Sequence, residues 1–189
     1  MERDNAVWEL ELAGEMNPGP WVEHSYTVAK AAELITSKTN RYDSEKAFIY
    51  GLLHDIGRKN GYSYIKHVID GYEYLKEKDK KAAYICLSHS FPNKDIREYQ
   101  GIIDIDTDKI KYLEKELVSG DYDYYDRLII LMDSYCSVDK YVNLERRWID
   151  VSIRYGVNNY TVEKWKQTYK IRDEINKENS ISIEEILGV

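Results

Sequence analysis

Ala47-Phe48-Ile49-Tyr50-Gly51-Leu52-Leu53-His54-Asp55-Ile56-Gly57 is the stretch from which the fold can be read. Ala47, Phe48, Gly51 and Leu52 recur at helical spacing, Asp43 or Ser44 stands where an N-cap belongs, and Gly57 permits the chain to leave. The apolar face thus runs straight into His54-Asp55. A buried helix that ends in an imidazole and a carboxylate delivers two metal-capable side chains to the interior.

The rest of the chain repeats this pattern on either side. An opening helix carrying Trp8 and Leu12 stops at Asn17-Pro18-Gly19-Pro20, where prolines forbid continuation. The next carries an apolar stripe of Trp21, Val28, Ala31, Ala32 and Ile35, with His24 at its edge. Ser63 is the expected cap of a helix holding His67 and Gly71, and Asp79 that of a helix in which Ala82, Ile85, Cys86 and His89 share a face. Thr107 is the expected cap of the Ile110, Leu113, Leu117 segment that Gly120 ends. From about Tyr124 an apolar helix, Leu128 to Met132, points Asp133 inward. Two further helices span roughly Leu144 to Tyr155 and Val162 to Asn176, and Ser182-x-x-Glu185 has the spacing of a capping box. Asn93 to Asp106 reads as a longer loop. With no repeat and no linker, residues 1–189 are expected to form one all-α, single-domain helical bundle.

All four histidines, His24, His54, His67 and His89, fall on the apolar side or at the end of a predicted helix. Donors placed one or two per helix converge in a bundle interior, which is how bundles build metal sites. His54 and Asp55 are separated by about 100° on a helix, so both serve one site only if that site is wide. A pair of ions is wide enough. Imidazoles and carboxylates without thiolates suit iron, manganese, cobalt, zinc or magnesium rather than a closed structural zinc site.

Leu53-His54-Asp55-Ile56-Gly57 resembles the HDIG form of the signature of the HD superfamily of metal-dependent phosphohydrolases. That superfamily orders its ligands as His, the His-Asp doublet, two optional His and a final Asp, which here are His24, His54-Asp55, His67, His89 and Asp133. His67-Val68-Ile69-Asp70-Gly71 and Ser88-His89-Ser90 are similar to its later motifs, and the likeness spans about residues 21–136. The resemblance implies one divalent metal held by His24, His54, Asp55 and Asp133, and a second held by Asp55, His67 and His89. It also implies hydrolysis of a phosphate ester or anhydride, of a nucleotide or related small metabolite, by a hydroxide generated at the metals. Asp55 and Arg58 are the expected catalytic residues, with Arg58, Lys59 and Lys66 expected at the substrate phosphate. Arg58 stands where the superfamily often has Lys; an ordinary helix C-terminal cation is its other reading. Two alternatives remain open: a di-iron oxygenase of the same superfamily, and a metal-containing module that senses a nucleotide without turnover.

Composition narrows the partners. Lys and Arg number 27 against 34 Asp and Glu, a net charge of −7, which disfavours a nucleic acid polymer or an anionic membrane and leaves a small phosphate-bearing substrate. Two cysteines without a C-x-x-C, an N-terminus without an apolar signal core and no long apolar run give the expectation of a cytoplasmic protein. Cys86 three residues before His89 suggests a nucleophilic pair, yet a thiol on an apolar face reads more simply as a small hydrophobe. Arg146-Arg147 reads as a solvated helix face. P-loop, dinucleotide-binding and serine-hydrolase motifs are absent.

Overall fold

The computed structural model describes residues 1–39 and 41–189. Among them the chain forms α1 (Arg3–Met16), α2 (Pro20–Ser37), α3 (Ser44–Leu53), α4 (Lys66–Leu75), α5 (Lys80–Ser88), α6 (Thr107–Ser119), α7 (Tyr124–Tyr135), α8 (Leu144–Tyr155), α9 (Thr161–Asn179) and α10 (Ile183–Leu187). Two 3-10 turns, Ile56–Asn60 and Ile96–Glu98, and an isolated Cys136–Tyr141 bridge complete the described structure. The architecture is all-α. No helix among the described residues is long and apolar enough to cross a membrane.

Helix α3 is buried along Ala47 to Leu53 and packs against α1, α2, α5 and α7. Its apolar composition on every side follows from that position, since a helix surrounded by others has no face for water. Gly51 permits the tightest of these contacts: a Cβ there would stand 2.8 Å from the Ala29 Cα of α2. One core cluster takes side chains from Ala6 in α1 through Leu187 in α10. A smaller one joins Ile65, Val68 and Leu87 to Leu113 and Leu117 beneath α6. Each such fully buried aliphatic side chain contributes roughly 1.5–3 kcal/mol.

Several expected helix starts hold. Asp43 accepts from the Glu45 and Lys46 N–H groups, Asp79 from Lys81 and Ala82, and Ser182 from Glu185. Others shift for identifiable reasons. Asp106, not Thr107, caps α6 by accepting the Lys109 N–H. Ser63 does not cap α4; its hydroxyl is buried without a partner, and Asp104 instead accepts the N–H groups of Tyr64 at 2.7 Å and Lys66 at 2.9 Å. The helix that carries His67 is therefore anchored by a carboxylate from the loop expected over Asn93 to Asp106. In α1 the inward residues are Ala6, Glu9, Leu10 and Ala13, while Trp8 is exposed.

Gly57 serves a purpose other than a turn. Helix α3 already ends at Leu53, His54 keeps helical dihedrals, and Gly57 is absent from the left-handed region. A Cβ on Gly57 would lie 2.0 Å from the His67 carbonyl oxygen and 2.5 Å from the Gly71 nitrogen. Its lack of a side chain thus allows the 3-10 turn to lie directly on α4, which brings Asp55 and His67 together.

Candidate metal centre

His24 comes from α2, His54 and Asp55 from the end of α3, His67 from the first turn of α4, His89 from the end of α5 and Asp133 from the last turns of α7. The structure brings all six together. His54, Asp55, His67 and His89 are buried, as is His24, while Asp133 is partly exposed. His24, His54 and Asp55 offer donor atoms within 4.8 Å of one another, and so do Asp55, His67 and His89. The two groups share Asp55. Asp133 lies beside the first group, 2.9 Å from His24 Nε2 and 4.0 Å from His54 Nε2.

Backbone geometry orients the imidazoles. The Nδ1 atoms of His54 and His89 face the carbonyl oxygens three residues earlier, Gly51 at 2.7 Å and Cys86 at 2.8 Å. His67 makes the same contact with Tyr64, and His24 Nδ1 faces the Ser137 carbonyl at 3.0 Å. A carbonyl oxygen only accepts, so each Nδ1 carries the proton and each Nε2 turns a lone pair toward the centre. His67 Nε2 and His89 Nε2 then stand 3.5 Å apart as two acceptors. That arrangement is repulsive unless a cation lies between them.

Two more atoms point the same way. His54 Nε2 and Asp55 Oδ1 are buried without a hydrogen-bond partner. His67 Nε2 is 3.1 Å and His89 Nε2 3.6 Å from Asp55 Oδ1, but neither has the geometry or the proton for a hydrogen bond. Buried acceptors left in this state cost free energy, and a divalent cation satisfies several at once. The residues present therefore fit a metal centre of nitrogen and oxygen donors.

The electrostatics keep these groups in the states that ligation requires. Burial pushes the pKa of His89 down to about 3 and lowers that of His54, so both are neutral at pH 7. Burial alone would raise Asp133, but the close approach of His24, with His54 and Arg147 nearby, holds it far below the usual carboxylate range. Asp55 is likewise held low, chiefly by Arg58, against the opposing effect of burial. For stability the sign is clear. Between the ordinary value of 6.5 and about 3 for His89, the unfolded chain binds more protons than the folded one, so stability falls as pH falls. The lowered carboxylates add a further loss below their ordinary value of 3.8. The melting temperature of metal-free protein is expected to decline steadily from pH 6.5 downward, and His89→Gln should flatten the upper part of that decline. A melting temperature independent of pH between 6.5 and 4 would contradict this.

The structure separates the expected phosphate-binding cations. Arg58 lies within the 3-10 turn and is engaged by the doublet, with Nε 2.6 Å from Asp55 Oδ2 and Nη2 3.5 Å from His67 Nε2. Its backbone carbonyl accepts from Asn17 Nδ2 at 2.6 Å. Lys59 rests on the Tyr74 ring, 3.3 Å from its centroid, and Lys66 pairs with Asp70. Neither lysine lines the cavity above the centre. Cys86 is fully buried with its pKa raised by burial, and its thiol donates to the Leu53 carbonyl at 3.1 Å, so it is a packing residue rather than a nucleophile.

The cavity measures about 460 Å³ and opens over Asp55, His67, His89 and Asp133. Its other wall comes from α8 and α9, where sequence patterning gave no indication of a site. Arg147 does not face solvent as a solvated helix would require; it lines the cavity, with Nη2 3.8 Å from Asp133 Oδ1. A local signal for this exists: Leu144, Arg147, Trp148, Val151, Arg154 and Tyr155 share one face of α8, so the arginines interrupt an apolar stripe. Four cationic side chains, Arg58, Arg147, Arg154 and Lys164, line the cavity against the two carboxylates Asp55 and Asp133. In a chain of net charge −7, this is a local reversal of sign.

No curated protein and no solved structure matches the chain significantly. The HD domain family model matches residues 21–135, more than half of the chain, and this span holds His24, the His54-Asp55 doublet, His67, His89 and Asp133. The chain belongs to the HD domain family.

Proposed function

We propose that this protein is a metal-dependent phosphohydrolase cleaving a phosphate ester or anhydride of a nucleotide or related small metabolite. The observation that carries the reading is the pair of donor groups sharing Asp55, with inward-facing imidazole nitrogens, beneath a cavity of locally positive charge. In this reading His24, His54, Asp55 and Asp133 hold one divalent ion, and Asp55, His67 and His89 hold a second. Two such ions supply Lewis acidity at phosphorus and an activated water near neutral pH.

The chain's own residues do the rest. Arg58 orients the Asp55 carboxylate through Nε and, because it lines the cavity, is the cation placed to meet the scissile phosphate. Backbone carbonyls of Gly51, Tyr64, Cys86 and Ser137 fix the imidazole tautomers. The substrate is a small anion, not a nucleic acid polymer or a membrane, in keeping with the net charge of −7. Residues 1–189 act as one domain, since α8 and α9 complete the cavity, and the two free, buried cysteines suit a reducing cytoplasm.

The test begins with chelated protein shown metal-free by elemental analysis. Manganese, iron, cobalt, magnesium or zinc is then restored before assay on nucleotides and simple phosphate esters. Turnover is expected only with metal, with up to two ions bound per chain. Full turnover in metal-free protein would sink the reading. Two bound ions with no phosphate release would favour the sensing module, and oxygen consumption by the iron form would favour the oxygenase.

A further inference from the structure

Helix α9 turns Thr161, Thr168, Ile171 and Ile175 into the protein. Their spacing of seven, three and four residues defines an inward stripe. Lys164 stands in that stripe, three residues after Thr161 and four before Thr168, and lines the cavity. An ammonium is an unexpected occupant there, because desolvation is costly for a charge that is not paired.

The other cavity cations have carboxylate neighbours. Arg58 meets Asp55 at 2.6 Å, Arg147 lies 3.8 Å from Asp133, and Arg154 meets Asp150 at 2.7 Å. The side-chain nitrogen of Lys164 has no hydrogen-bond or ion-pair partner among the described residues. The acidic groups that act on it are Glu98, whose carboxylate is engaged by the backbone and side-chain N–H groups of Asn93 at 2.9 and 2.8 Å, and Asp133. Burial lowers the Lys164 pKa, and Glu98 and Asp133 offset this only in part. Lys164 therefore presents an amine without an ion-pair partner to the cavity, on the wall that α8 and α9 add outside the family match.

We propose that Lys164, together with Arg147, binds a second phosphate group of the substrate, beyond the one at the Asp55–Arg58 centre. The substrate class is then a diphosphate or longer phosphate chain, not a monophosphate ester. This rests on the phosphohydrolase reading for the placement of the scissile group, but the Lys164 subsite is detectable without turnover. A cavity of about 460 Å³ is within the range of sites that enclose whole small organic ligands. An oxyanion at Lys164 relieves the desolvated charge through a charge-assisted hydrogen bond.

The experiment is calorimetric titration of the intact, magnesium-saturated protein with inorganic pyrophosphate and, separately, inorganic phosphate, using wild type, Lys164→Gln, Lys164→Met and Lys164→Arg. Metal content is measured in each, so that chelation by pyrophosphate acts equally on all. Wild type is expected to bind pyrophosphate at least about tenfold more tightly than phosphate, the worth of one charge-assisted contact. Lys164→Gln and Lys164→Met should erase that preference, and Lys164→Arg should keep most of it. Equal affinity for the two anions in wild type overturns the proposal, as does an undiminished preference in either neutral variant. Lys164-dependent pyrophosphate binding without hydrolysis of any phosphate ester or anhydride would leave the subsite standing and remove the phosphohydrolase reading.

Discussion

Asp55→Asn is expected to lower kcat/KM by at least about a thousandfold and to reduce bound metal at both positions. Asp55 is the one side chain common to the two donor groups, with Oδ1 3.1 Å from His67 Nε2 and Oδ2 3.9 Å from His54 Nε2. An amide has almost the same shape but carries no charge, so a loss in this variant reports the charge rather than a packing defect. His89→Gln belongs to one group only and should spare metal at the position proposed for His24, His54, Asp55 and Asp133. Elemental analysis of the two variants beside steady-state rates makes the comparison. Full two-metal occupancy in Asp55→Asn would remove the shared-carboxylate assignment. The metal-free Asp55→Asn protein should also melt lower than metal-free wild type, because the Arg58 guanidinium loses its anionic partner.

Gly57→Ala should have the largest effect on the fold. Its Cβ would stand 2.0 Å from the His67 carbonyl oxygen and 2.5 Å from the Gly71 nitrogen, and backbone atoms on both sides leave no flexible side chain to yield. The 3-10 turn and α4 must separate, at a cost of about 3 kcal/mol or more, or roughly 6–12 °C of melting temperature for a chain of this size. His67 moves with α4, so metal in the group it shares with His89 should fall as well. Gly61→Ala is the control. Its φ of +107° is strained for alanine, but nothing lies within 4 Å of a Cβ there, so it should cost about 1 kcal/mol and leave metal content intact. Equal melting temperatures for the two variants would show that close approach at Gly57 carries no weight.

Gly57 also shows why a correct residue can be assigned a wrong reason. A glycine after an apolar helix normally signals a left-handed exit. Only the position of α4 reveals that this one is required by a backbone contact. The same holds for Arg58. Its charge next to the doublet is plain in the sequence, but its direction depends on the 3-10 turn that folds it onto Asp55. The caps divide in the same manner. Asp43 and Asp79 reach N–H groups two and three residues ahead and are legible from spacing alone. Asp104 reaches Tyr64 and Lys66 across about forty residues and is not.

Residue order alone was sufficient for the all-helical class, the His54-Asp55 doublet and the gathering of His24, His67, His89 and Asp133 around it. Donor chemistry restricts those residue types, and apolar periodicity records which face of each helix turns inward. Even the imidazole tautomers follow from local geometry at His54, His67 and His89, whose Nδ1 atoms meet carbonyls three residues back. The cavity wall was decided by tertiary structure. Arg147 and Lys164 interrupt inward stripes in α8 and α9, yet those stripes do not say which distant surface they meet. That depends on how the C-terminal helices cross α7, and crossing angles arise from side chains interdigitating between helices, which no single helix encodes.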